Sequence, residues 1–195
     1  KDRSKKPDRN HKRPATPAAQ RKVSGARRAS LYALNDVTMG GAYAGQALDR
    51  RLQEFRLSPE DKRLATSLFY AALENRLRID YLLRQFVRSA PEPIVWDILH
   101  LGAAQVLFLD RVPDHAAVDE AVSQTHLLNR SALAPLVNGA LRSLIRARDA
   151  GELVYPDREQ NLIRHFSIMY SMSEPLVKRL IDAYGPEEAE KILSF

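Results

Sequence analysis

The chain has 195 residues, 45% of them hydrophobic, and carries a formal charge of +6. It has no cysteine, which excludes disulfides, thiolate-bound metals and a cysteine nucleophile, and suits a reducing, cytoplasmic compartment. No apolar run nears the roughly 20 residues that span a bilayer, and no apolar stretch follows the basic N-terminus as a signal peptide requires.

Residues 1–30 hold 11 Lys or Arg against 2 Asp, whereas the remainder holds 19 against 22. The excess positive charge therefore sits at one end. Residues 1–22, "KDRSKKPDRNHKRPATPAAQRK", are rich in Lys, Arg and Pro and show no periodicity. That composition predicts a basic disordered tail ending in Arg21 and Lys22, with a polyanion as partner, RNA or DNA ahead of membrane. A tail that merely aids solubility is the alternative. The chain starts at Lys rather than Met and stops inside a helical pattern, which reads as a piece of a longer protein.

From Val23 onward helix follows helix. "GARRASLYALNDV" aligns Ala26, Ala29, Leu31, Ala33, Leu34 and Val37 on one broad apolar face, and "MGGAYAG" interrupts it. A second helix turns Ala44, Leu48, Leu52 and Phe55 inward. The third has a clear start: Ser58 as cap, Pro59 in the first helical position, and Asp61 three residues after the cap. Its stripe is Leu64, Leu68, Phe69, Ala72 and Leu73; the next helix carries Ile79, Leu82, Leu83, Phe86 and Val87. "IVWDILHLGAAQVLFL" is apolar almost all round and predicts the most buried helix. A further helix restarts after Pro113, with Asp114 as expected cap and Val118, Ala121, Val122 and Thr125 inward.

"APLVNGALRSLIR" sets an Asn-Gly pair, normally a turn signal, inside a run whose apolar residues recur at helical steps. Glycine in a helix costs about 1 kcal/mol relative to alanine, so it suits a place where a neighbouring backbone comes close. Asn138 and Gly139 are therefore expected to mark a tight helix crossing with a polar pin. A catalytic Asn would need a nearby base or nucleophile, and none is indicated. Gly151 stops this helix, Pro156 delays the next, and a smaller helical set follows over residues 151–195, one helix running from Ser173 to Gly185 and another beginning at Pro186. No segment alternates as a half-buried strand does. The fold class is all-α, with a helical body over 23–150.

These motifs resemble known proteins. "LVNGALRSLIR" is similar to the Asn-Gly-Val-Leu-Arg signature of the NusB family of helical RNA-binding domains, and "ARRASLYAL" to that family's first helix. "DKRLATSLFYAALENRLRIDYLL", "ILHLGAAQVLFLDRVPDHAAVDEAV" and "LVKRLIDAYGPEEAEKI", in that order, resemble the N-terminal part of the RsmB (Sun) type of ribosomal RNA cytosine-5 methyltransferases. The resemblance implies a NusB-like bundle over 23–150, a helical connector over 151–195, and a catalytic domain, absent from this chain, that binds S-adenosylmethionine and uses cysteines. It implies small-subunit ribosomal RNA as partner, with a free NusB-like antitermination factor as the alternative. This chain has no cysteine and no glycine-rich loop after a strand, so it is expected to hold no cofactor and to methylate nothing alone.

In the family the first-helix region is implicated in RNA contact, which points to Arg27 and Arg28 beside Arg21 and Lys22. A solvated helix start is the alternative. Arg142 and Arg146 lie four residues apart and either extend a basic surface or pair with acidic neighbours. Lys178 and Arg179 leave RNA and the missing domain equally open. No two histidines are spaced four apart and no carboxylate cluster joins them, so no metal is expected, and His11, His100, His115, His126 and His165 read as caps or packing. Trp96, Tyr32, Tyr70 and Tyr81 read as core.

Overall fold

A computed structural model describes residues 23–194; the expected tail over 1–22 lies outside the described residues. The order is α1 (Gly25–Thr38), α2 (Ala44–Glu54), α3 (Pro59–Glu74), α4 (Arg76–Leu83), α5 (Pro93–Phe108), α6 (Asp114–Leu127), a 3₁₀ turn (Ser131–Leu133), α7 (Ala134–Ala150), α8 (Leu162–Met169) and α9 (Glu174–Leu193). No strand occurs among the described residues.

Local signals place the helix ends. Ser58 accepts from the Asp61 amide, with Pro59 in the first turn of α3. Gly151 ends α7 in the left-handed region at φ 69°. At Gly185 (φ 77°, ψ 165°) the backbone leaves helical geometry and α9 kinks before Pro186, so the expected stop is a break between two helical segments. Asp114 departs from expectation. Pro113 occupies the cap position of α6 and makes no side-chain bond, while the Asp114 carboxylate turns to Arg148.

α5 runs through the centre, buried from Ile98 to Val106 without interruption, and α1, α3, α4, α6 and α7 pack around it. Ala26, Ala29 and Ala65 let α1 and α3 approach closely, and the buried Ser30 hydroxyl lies 2.9 Å from both the Ala26 and the Ala65 carbonyl oxygens. The core has one polar corner. Asp97 of α5 accepts from Asn35 Nδ2 at 2.9 Å and Thr38 Oγ1 at 3.0 Å, and burial pushes its carboxyl up. One turn on, His100 binds the Trp96 carbonyl through Nδ1; burial holds this ring below its usual pKa.

The segment after α7 is strapped to α4. Arg78 donates to the Tyr155 hydroxyl at 2.9 Å, Gln85 to the Val154 carbonyl at 2.8 Å, and the Leu77 amide to Ser171 Oγ at 2.9 Å. Phe166 of α8 is fully buried, and Arg158 grips Glu190 of α9 through two bonds of 2.7 and 2.6 Å.

Candidate nucleic-acid interface

Helix starts expose amides and favour exposed side chains, so Arg27 and Arg28 at the head of α1 are the natural place to look for a cationic grip. The structure separates the two. Arg27 is turned inward with its side chain 12% exposed. Its Nε donates to Gln105 Oε1 of α5 at 2.9 Å, and Nη1 lies 3.7 Å from Glu120 of α6. Glu120 also accepts from the Ser24 amide, and Gln124 of α6 donates to the Arg27 carbonyl. Arg27 therefore ties three helices together, and its charge is spent inside the protein. The structure thus places Arg27, expected on a cationic surface, within a tie between helices. Arg27→Ala should lower stability by roughly 1–3 kcal/mol, because it strands the buried Gln105 oxygen and removes the partner of Glu120. Thermal unfolding followed by circular dichroism checks this; an unchanged Tm would show that the tie is idle.

Arg28 is different. Its guanidinium lies over the Phe55 ring, 4.9 Å from the centroid, and Phe55 stacks on Tyr32 at 6.0 Å. Arg51 covers Tyr32 from 5.5 Å. Arg51 is neutralised by Asp36 through two 2.8 Å bonds, whereas Arg28 has no carboxylate partner among the described residues, and its Nε is buried without a bond. Of the two α1 arginines, Arg28 is the one left with charge to offer. Arg21 and Lys22 lie outside the described residues.

α7 holds the other pair. Arg142 and Arg146 are exposed, and neither forms an ion pair among the described residues. Arg142 Nε donates to Asn138 Oδ1 one turn back at 2.8 Å, and Arg146 Nη2 donates to Ser143 Oγ at 2.8 Å. Neutral acceptors orient both cations without cancelling them. With Asp114, His115 and Val118 of α6, and with Ile145, they line a groove of about 550 Å³. Asp114 is the acid of that groove, and the Arg148 guanidinium takes it bidentately and holds its carboxyl below the usual range. Arg27 faces α6 at Ala116, Asp119, Glu120 and Ser123, so α6 stands between the two arginine sites.

The Asn-Gly pair does not do what its sequence context suggests. Asn138 bonds within its own helix, and an added Cβ at the exposed Gly139 would meet nothing within 4 Å. The close crossing sits at Gly102 of α5, where an added Cβ would lie 2.6 Å from Leu141 Cδ1 of α7. Gly102 carried a signal in its almost uniformly apolar surroundings, within the stretch of α5 that is buried from Asp97 to Val106. His115, expected as a cap or packing residue, lines the groove instead. Arg148 also went unseen; its bond to the Val106 carbonyl caps α5 from a distant part of the chain. Lys178 pairs with Asp182 at 2.6 Å.

The chain was compared with known proteins. It is 34% identical over 173 residues to the probable ribosomal RNA small subunit methyltransferase B of Bacillus subtilis (strain 168), an overlap covering 88% of this chain and 38% of that protein. It is 28% identical over 157 residues to ribosomal RNA small subunit methyltransferase B of Escherichia coli O1:K1 / APEC, covering 76% of this chain and 34% of the relative. The chain thus spans little more than a third of these relatives. Among solved structures, a chain in the crystal structure of a plectonemic RNA supercoil superposes with a TM-score of 0.60 at 19% identity, covering 64% of this chain and 94% of that one. A chain in the crystal structure of antitermination factors NusB and NusE in complex with dsRNA gives 0.58 at 20% identity, covering 63% and 95%. At such identities these establish the all-α fold. The NusB family model matches residues 24–146, from the cap of α1 to Arg146 on α7, and the chain belongs to the NusB family.

Proposed function

We propose that this chain is the RNA-contacting N-terminal region of a small-subunit ribosomal RNA methyltransferase, recognising or positioning RNA for a catalytic domain further along the polypeptide. The reach of the similarity carries this reading. An overlap of 173 residues cannot be held within residues 1–146, so it runs past the family match into α8. A free antitermination adaptor needs no such extension. The basic tail, Arg28 and the α7 arginines supply a grip for phosphate, and S-adenosylmethionine belongs with the catalytic domain. The described residues hold no strand followed by a glycine-rich turn of the kind that cradles a nucleotide-like cofactor.

The test is binding of the full 195-residue chain to a small-subunit ribosomal RNA fragment between 50 and 200 mM salt. Because phosphate contacts release counterions, affinity should fall steeply and linearly on a log–log plot. Binding that ignores salt, or none at the lowest salt, overturns the RNA reading. The coding sequence beyond Phe195 separates the two versions: a strand, glycine loop and helix with later cysteines supports the methyltransferase, and an immediate stop codon supports the adaptor.

A further inference from the structure

Gly139, Arg142 and Arg146 recur at three- and four-residue steps and so share one stripe of α7, and all three are exposed. A glycine weakens a helix interior, and usually a close neighbour explains it. Among the described residues none does, since the space over Gly139 is open to 4 Å. Gly102, by contrast, is accounted for by Leu141. The bare backbone at Gly139 therefore faces outward beside two cations, where a chain outside the fold can lie against it.

The cations are prepared for an anion. Asn138 holds Nε of Arg142 and Ser143 holds Nη2 of Arg146, which leaves both Nη groups of Arg142 and Nη1 of Arg146 without a bond among the described residues, and the groove acid Asp114 is occupied by Arg148. Val118 and Ile145 add an apolar floor, and His115 of α6 adds a ring donor or acceptor on the opposite wall.

We propose that the α6–α7 groove is a second RNA surface, in which Arg142 and Arg146 hold backbone phosphates of a single strand or loop and Gly139 lets the sugar–phosphate chain lie against the helix. This rests on the RNA reading above. Residues four apart rise about 6 Å along a helix, which suits successive phosphates of one strand. The guanidinium fork pairs bidentately with phosphate oxygens, and the apolar floor gives a ribose or base a surface to cover. α6 separates this surface from the head of α1.

Fluorescence anisotropy with a labelled single-stranded ribosomal RNA fragment tests it, using the 195-residue chain, R142A/R146A, G139A, and R63A as a control on α3, where Glu60 already pairs the cation. The double variant should bind about tenfold more weakly and lose roughly 1.4 from the salt slope, two contacts at about 0.7 each. G139A should bind severalfold more weakly while its Tm rises, a combination that lost folding cannot produce. R63A should match the parent. If the parent binds no RNA, the RNA reading fails and takes the groove with it. If the parent binds and both R142A/R146A and G139A match it in affinity and slope, the groove inference alone fails. If R142A/R146A loses binding to polyglutamate but not to RNA, the groove is a site for an acidic protein and the inference is overturned.

Discussion

Gly102→Val should destabilise the protein by roughly 3 kcal/mol or more, and Gly139→Ala should stabilise it by about 1 kcal/mol, although both glycines lie inside helices. The difference is in what surrounds them. A Cβ at position 102 would meet Leu141 at 2.6, 3.0 and 3.4 Å from Cδ1, Cδ2 and Cγ, and Leu141 is fully buried. Valine adds two further carbons to that collision, so Leu141 must be displaced within the core or α5 and α7 must part. At position 139 alanine meets nothing and gains helix propensity. Thermal melts should show Gly102→Val lower by on the order of 10 °C and Gly139→Ala higher by roughly 2–4 °C. Adding Leu141→Ala to Gly102→Val should recover part of the loss, because the two side chains compete for one volume. A Gly102→Val protein with parental stability would mean the helices do not meet as described.

Removing residues 1–22 should have the largest effect on RNA binding. That segment holds 9 Lys or Arg against 2 Asp, and what is left, 21 against 22, has a net charge of −1. If only four of those cations sit on phosphates, the salt slope falls by about 3 and affinity at 0.1 M salt falls on the order of 100-fold. Titrations of the truncated and full chains against the same RNA fragment at several salt concentrations measure both. Equal slopes would assign the RNA surface entirely to the folded body. With Arg27 engaged by Gln105 and Glu120, that body would have to rely on Arg28 and the α7 groove.

The arginines show how unevenly a site can be read from a linear chain. Arg27 and Arg28 are adjacent and look equivalent as letters. A helix turns about 100° per residue, so neighbours point to different surroundings: one meets the polar groups of α5 and α6, the other a Phe55 ring. Arg142 and Arg146 have no acidic partner among the described residues, because their i−4 and i−3 neighbours offer an amide and a hydroxyl instead of carboxylates.

What the amino-acid order determined alone was everything governed by a few adjacent residues. The all-α class, the start at Ser58–Pro59, the left-handed stop at Gly151, the break at Gly185–Pro186 and the burial of α5 all follow from caps, backbone freedom and apolar periodicity. Only the tertiary structure decided which glycine lies at a crossing, which arginine keeps its charge and what Asp114 binds. Those outcomes depend on which helix faces abut, and periodicity reports that a face is buried without naming its partner.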